Sequence, residues 1–334
     1  MKKLLLCLCL IATGWNLKAQ NAPDKVYFNP NQTFKIAQFT DMHLAQDQAK
    51  NQVVKDLIKE VLETEHPNLV VFTGDNTTMN EVEQGWSEIA QILANHQTPW
   101  TAILGNHDDE YAVKRHDIIE IIRRQSYCIL KDVAEGIAGE GNHIVRIYNS
   151  TDPTKVSSVL YCLDSNSYSR IKGIDGYGWF DRSQINWYVS ESKKLTQQNN
   201  GTPLPALAFF HIPLPEHAQG WASMDSKRYG TKDENECSGK LNSGLFTNMV
   251  ECGDVMGIFV GHDHVNDYIT TLYHIALGYG RASGGKNTYG DKLPGSRIFV
   301  LKEGERTFDT WIYEKGKKKR PDVVSYPTSF LKKK

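Results

Sequence analysis

The order of apolar runs in this sequence predicts an α/β fold. Three observations carry that reading: short apolar strands alternate with amphipathic helices through the first half, strands dominate the second half, and potential ligand residues collect where strands end. Residues 34–40 alternate as a strand. Residues 51–65 place Val53, Val54, Leu57, Ile58, Val61 and Leu62 on one helical face, and Pro67 ends that helix. Residues 69–72 form a short apolar run that reads as a buried strand. A helix over 81–96 and a strand over 100–104 complete the βαβ pattern. Residues 144–148 and 156–163 read as a strand pair, and 181–194 as a helix with Ile185, Trp187 and Tyr188 among its apolar positions. Apolar strands follow at 204–210 and 255–260, and closing strands at 268–276 and 297–313. There is no internal repeat and no linker, so 34–313 reads as one domain.

The flanks have a different character. Lys2 and Lys3 precede an apolar run over 4–12, and Ala19 offers a small residue for cleavage, so 1–19 reads as a secretory signal peptide. The run is shorter than the ~20 residues a membrane span needs. The expectation is therefore export, to periplasm or medium, with no integral span after cleavage. Residues 20–33 form a polar leader with Pro23 and Pro30, and 314–334 a basic tail read as solvated. The chain of 334 residues has ample length for a core, and a formal net charge of -1 gives no footprint of a nucleic-acid-binding protein. Outside the signal stand Cys128, Cys162, Cys237 and Cys252, an even number in an exported chain. Disulfides and free buried thiols both remain open.

The chemistry lies at the strand ends. The first strand runs into Thr40-Asp41-Met42-His43, the second into Thr73-Gly74-Asp75-Asn76, and the third into Gly105-Asn106-His107-Asp108. Later strands run into His211 and into Gly261-His262-Asp263-His264. Singly, each has an ordinary reading, since Gly-Asp after a strand is a common turn. Together they put carboxylates, imidazoles and an amide oxygen at the ends where α/β sheets form their ligand crevice. Those donors suit divalent metals of intermediate and hard character. Asp41, His43, Asp75, Asn106, His211, His262 and His264 are more ligands than one metal takes, and fit two ions sharing a carboxylate.

This series of motifs resembles the calcineurin-like metallophosphoesterases over most of the mature chain. Phe210-His211-Ile212-Pro213-Leu214-Pro215-Glu216, the Asn242-Ser243-Gly244 turn, the words after Gly261 and the run Gly278-Tyr279-Gly280-Arg281 are similar to the branch of the Dcr2-type phosphatases and their plant relatives, some called purple acid phosphatases. The resemblance implies a four-layer α-β-β-α sandwich of two mixed sheets. It implies that Asp41, His43 and His264 hold one ion, Asn106, His211 and His262 the other, and that Asp75 bridges them. His107 would donate a proton to the leaving group, and Asp108 would orient His107. The stretch Asp75-Asn76-Thr77-Thr78-Met79 lacks the metal-binding tyrosine of true purple acid phosphatases, which puts obligate ferric iron in doubt. The resemblance thus implies two divalent metal ions, from among Mn, Fe, Zn and Mg.

The function this implies is hydrolysis of phosphate monoesters, on a small molecule or a protein, by a metal-bridging hydroxide. A phosphodiesterase on the same core is the alternative. A non-catalytic metal-binding surface protein is a third, which an intact His107 and Asp108 argue against. Arg281, in a glycine-rich run, is a candidate phosphate contact, and His217 a candidate pocket residue.

Overall fold

The computed structural model describes residues 23–111, 113–317 and 322–331. The expected signal peptide and part of the basic tail lie outside them. The first half builds as its periodicity predicts. Strand β2 (Thr33–Phe39) leads into helix α1 (Gln48–Glu65), strand β3 (Leu69–Thr73), helix α2 (Val82–Asn95) and strand β4 (Trp100–Ile103). The Asp47 side chain caps α1 by accepting the Ala49 N–H. His66 closes the helix in a left-handed conformation, ahead of Pro67. Helix α3 (Arg115–Arg123) follows, then the antiparallel pair β5 (His143–Tyr148) and β6 (Val156–Cys162). Asp181 starts helix α4 (Arg182–Gln198) through a reciprocal capping box with Gln184. Strand β7 (Ala206–Phe209), helices α5 (Pro215–Ala222) and α6 (Leu245–Cys252) and strand β8 (Val255–Val260) complete the parallel part.

Two readings change here. The stretch expected as one strand over 268–276 is a hairpin of β9 (Ile269–Leu272) and β10 (Ile275–Tyr279), turned at Tyr273 and His274, which both have positive φ. The 297–313 run is likewise two strands, β11 (Gly295–Lys302) and β12 (Phe308–Glu314). The packed body also extends past the expected 34–313. Strand β1 (Val26–Tyr27), inside the supposed leader, pairs with β5, and β13 (Val324–Tyr326), inside the supposed tail, pairs with β12.

The strands form two mixed sheets, ordered β1-β5-β6-β7-β8-β10-β9 and β13-β12-β11-β2-β3-β4. Side-chain alternation along β3 gives the layers. Leu69 and Val71 enter the core between the sheets, with Phe209, Phe259 and Phe299. Val70 and Phe72 point the other way, into a core shared with Val54, Leu57 and Ile58 of α1, Trp86 of α2 and Ile118 of α3. Helices α4 and α6 pack Tyr188, Leu195, Phe246 and Met249 on the outer face of the seven-stranded sheet, continuous with the first core. The result is a four-layer α-β-β-α sandwich. At one edge the carboxyl ends of β2, β3 and β4 meet those of β7 and β8. Thr40 bridges to Ala282, and the Gln38 amide donates to the Val260 carbonyl, joining the two sheets there. No helix among the described residues is long and apolar enough to cross a membrane.

Candidate metal centre

At that shared edge the structure brings the strand-end residues into two overlapping groups. Ligand atoms of Asp41, His43, Asp75 and His264 all lie within 4.8 Å of one another, as do those of Asp75, His211 and His262. Asp75 alone belongs to both. All six side chains are buried. Hydrogen bonds from behind aim the donor atoms. The Asp75 Oδ1 accepts the His107 N–H at 2.8 Å, which leaves Oδ2 toward the cluster. His211 Nδ1 donates to the Thr73 carbonyl at 2.9 Å, which leaves Nε2 as the ligating nitrogen. The Asp41 carboxylate accepts the Thr40 hydroxyl and the His262 N–H. Glycine is required where the backbone passes closest: a Cβ at Gly105 would strike the Asp75 carboxylate, and one at Gly261 would strike Thr40 and Asp41.

The donor set fits divalent cations. Asp75 Oδ2, His211 Nε2 and both amide atoms of Asn106 are buried with no hydrogen-bond partner, although Asp75 Oδ2 and His211 Nε2 lie 3.0 Å apart. Buried polar atoms are rarely left so, and an ion among them would satisfy the oxygens and the nitrogen at once. The nitrogens His43 Nε2 and His264 Nε2 approach to 3.3 Å, a contact that a shared cation explains better than two rings sharing a proton. Electrostatics agree. Burial pushes His43 down to about 4 and His262 down to about 3, so both present the neutral imidazole that ligates metal. Burial opposes charge on His211 as well, yet Asp75 and Asp41 lift it to about 9. The cluster thus carries enough negative charge to draw a cation. Asp41 is held at about 2, the pull of His264 and His211 outweighing its burial.

Around this core the structure revises three expected roles. Asp108 does not orient His107: its carboxylate accepts the N–H groups of Gly105, Asn76 and Thr77 and the Asn76 amide, and so knits the β3 and β4 loops together. The group on the His107 ring is Glu110, 2.6 Å from Nδ1. Arg281 is engaged inside the protein, its Nη1 on Asp267, Nη2 on Glu314 and Nε on the Leu293 carbonyl, because those partners approach from distant parts of the chain. His217 is fully buried against Tyr279, so it does not line the crevice.

Other residues beside the cluster were not apparent from the sequence. Tyr177 packs edge-on against His262 with ring centroids 4.3 Å apart, and Tyr168 stacks on Tyr177. Tyr289 stacks on His264 at 4.2 Å and donates its hydroxyl to Glu234. Buried Arg115 holds the Gly105 carbonyl and pairs with Asp109 and Asp164. The only sequence signal for Glu110 is its spacing three residues after His107, one turn along. Cys128, Cys162, Cys237 and Cys252 are all free thiols.

Paired mixed sheets whose strand ends meet in a carboxylate–imidazole cluster define the metallophosphoesterase class. The chain belongs to the calcineurin-like phosphoesterase family, whose model matches residues 34–266. It is 35% identical over 313 residues to the probable inactive purple acid phosphatase 29 of Arabidopsis thaliana, covering 84% of this chain and 78% of that one. It is 31% identical over 317 residues to the phosphatase DCR2 of Saccharomyces cerevisiae, covering 83% of this chain and 53% of that protein. Among solved structures, a dimetal phosphatase from Danio rerio superposes with a TM-score of 0.59 at 10% identity, over 87% of this chain and 98% of that one. That likeness shows the fold. The relatives place the chain in the Dcr2-type and plant branch.

Proposed function

We propose that this chain is an exported, two-metal hydrolase of phosphate monoesters. The observation that carries the reading is Asp75, whose carboxylate stands in both ligand groups while every other member of those groups stands in one. Asp41, His43 and His264 would hold one ion, and Asn106, His211 and His262 the other. When bound, two divalent ions acidify a water toward ~7 and offset charge on phosphoryl oxygens. The chain's own contribution is positional. The seven ligands fix the crevice, and His107 stands at its mouth with its side chain 36% exposed, within reach of a substrate. Water oxygen bonds to phosphorus as the bond to the leaving oxygen breaks. The attacking water loses a proton to solvent, the leaving oxygen keeps the electron pair of the broken bond and takes the Nε2 proton of the His107 imidazolium, and solvent reprotonates the ring.

Walls on the crevice favour monoesters over diesters. The 166–178 loop brings Tyr177 over His262, and its Gly178 carbonyl abuts Gly239, so two loops close together on that side. Tyr289 covers His264 on the other. A phosphate with one substituent fits such a site more readily than one with two. Several relatives carry "probable inactive" in their names. The activity proposed here rests on this chain's own intact ligands and His107.

The test compares p-nitrophenyl phosphate with bis-p-nitrophenyl phosphate, with Mn²⁺, Zn²⁺, Fe²⁺ or Mg²⁺ added in turn and Asp75→Asn as control. Metal-dependent monoester turnover that disappears in the control supports the proposal. Preference for the diester would replace it with the phosphodiesterase reading. Two bound ions and no turnover of either ester would leave a metal-binding protein.

A further inference from the structure

A carboxylate outside the metal set holds the imidazole at the crevice mouth. Glu110 uses both of its oxygens. Oε2 lies 2.6 Å from His107 Nδ1, and Oε1 accepts the Tyr168 hydroxyl at 2.8 Å. Tyr168 stacks on Tyr177 with centroids 5.6 Å apart, and Tyr177 meets the ligand His262. With Nδ1 donating to Glu110, Nε2 is the His107 nitrogen left to face a substrate. A carboxylate on one ring nitrogen fixes both the tautomer and the plane of an imidazole. No other side chain is hydrogen-bonded to the His107 ring among the described residues, and the Asp108 carboxylate is filled by backbone donors.

We infer that Glu110 is a positioning residue for His107, fixing the ring so that Nε2 faces the crevice, and that through Tyr168 it ties the ring to the loop walling the His262 side. The catalytic consequence rests on the hydrolase reading above; the contact itself does not.

The experiment therefore has two arms on the full-length protein. In the first, ring-¹⁵N-labelled histidine, read at a pH where the ring is neutral, reports which His107 nitrogen carries the single proton, with His107→Asn assigning the signal. Wild type shows a proton on Nδ1, and Glu110→Ala loses it. Unchanged ring signals in Glu110→Ala overturn the inference. In the second, turnover is measured on an alkyl phosphate, whose leaving group needs a proton, and on p-nitrophenyl phosphate, whose leaving group needs it far less. Placed proton donors contribute ~10²–10⁴-fold, so losing orientation alone lowers kcat on the alkyl ester by about 10- to 100-fold, with KM and metal content unchanged and a much smaller loss on the aryl ester. Glu110→Gln, which keeps the shape and one accepting oxygen, recovers part of that loss. The double variant with His107→Asn is no slower than His107→Asn alone. Equal losses on both esters, or a double variant slower than His107→Asn, would show a role other than holding His107. A wild type inert toward every ester removes the hydrolase reading, and the ring-nitrogen arm still decides the contact.

Discussion

Asp75→Asn gives the sharpest test of how the metal centre is built, because its outcome is a pattern rather than a single loss. Among the described residues, the Asp75 carboxylate is the member common to both ligand groups, each of whose atoms lie within 4.8 Å of one another. An ion among those atoms stands no farther from it than that. A unit negative charge ~4 Å from a cation, at an effective dielectric constant of ~20, is worth about 4 kcal/mol per unit of cation charge. Converting the carboxylate to an amide therefore weakens each site by about a thousandfold or more, since every ~1.4 kcal/mol is tenfold. His43→Ala removes a ligand from one group only, and His262→Ala from the other. The predicted pattern under near-saturating Mn²⁺ is two ions per chain in wild type, about one in each histidine variant, and close to none in Asp75→Asn. Metal content after gel filtration, with calorimetric titration of the metal-stripped protein, reads this directly. Two ions retained at undiminished affinity in Asp75→Asn would refute the shared carboxylate. Loss of both ions in His43→Ala would show that the groups are not separable.

Three further outcomes follow from particular contacts. Gly105→Ala drives a methyl group into the Asp75 carboxylate and should cost about 1–3 kcal/mol in urea unfolding while weakening metal binding; unchanged metal affinity would mean the loop yields freely. His217→Leu replaces a fully buried imidazole packed on Tyr279 and should leave hydrolysis and metal content unaffected, since the ring does not reach the crevice; a loss of turnover at unchanged metal content would refute that placement. Burial holds His143 at about 4 against an ordinary 6.5, so on acidification the unfolded chain takes up its proton first. Stability is then full above about 6.5 and falls as pH drops toward about 4, by about 2 kcal/mol between pH 8 and pH 5. His143→Gln should show an acid loss smaller by that amount, and equal losses would refute it.

Much of the fold was legible because local pattern and tertiary burial agree. The α1 face and the β3 run have one reading each, and their spacing survives in the structure. The hairpin at Tyr273 and His274 was not legible: it uses positive φ without glycine, asparagine or aspartate, and apolar residues continue through it. Strand β13 was hidden by composition, since basic residues surround three residues whose pairing with β12 only tertiary structure supplies. The metal ligands were legible because each follows directly on an apolar strand. The roles of Asp108 and Glu110 were not. Gly105-Asn106-His107-Asp108-Asp109-Glu110 offers three carboxylates within one turn, and the backbone path decides which one faces the imidazole. Arg281 misled for a related reason, since its carboxylate partners stand 14 and 33 residues away.

The spacing of the ligand pairs has a structural cause that joins stability to function. Between Asp41 and His43, Met42 turns away into the core against the helices, so alternate residues face the crevice and the hydrophobic layer. Between His262 and His264, Asp263 turns to the Tyr279 hydroxyl and the Cys237 N–H. To make that alternation converge rather than run on as strand, Asp41, His43, Asp75 and His262 all adopt positive φ. For residues other than glycine this conformation costs on the order of 1 kcal/mol or more each, and it persists only where surroundings enforce it. The enforcement is a ladder beyond the strands: Asp41 N–H to the Gly74 carbonyl, His43 N–H to that of Asp75, Leu44 N–H to that of Asn76 and Gly261 N–H to that of His211. Ligand geometry is thus fixed by main-chain bonds between the β2, β3, β7 and β8 loops. A bound ion meets a preformed site, and relaxing any one of these loops disturbs ligands contributed by another.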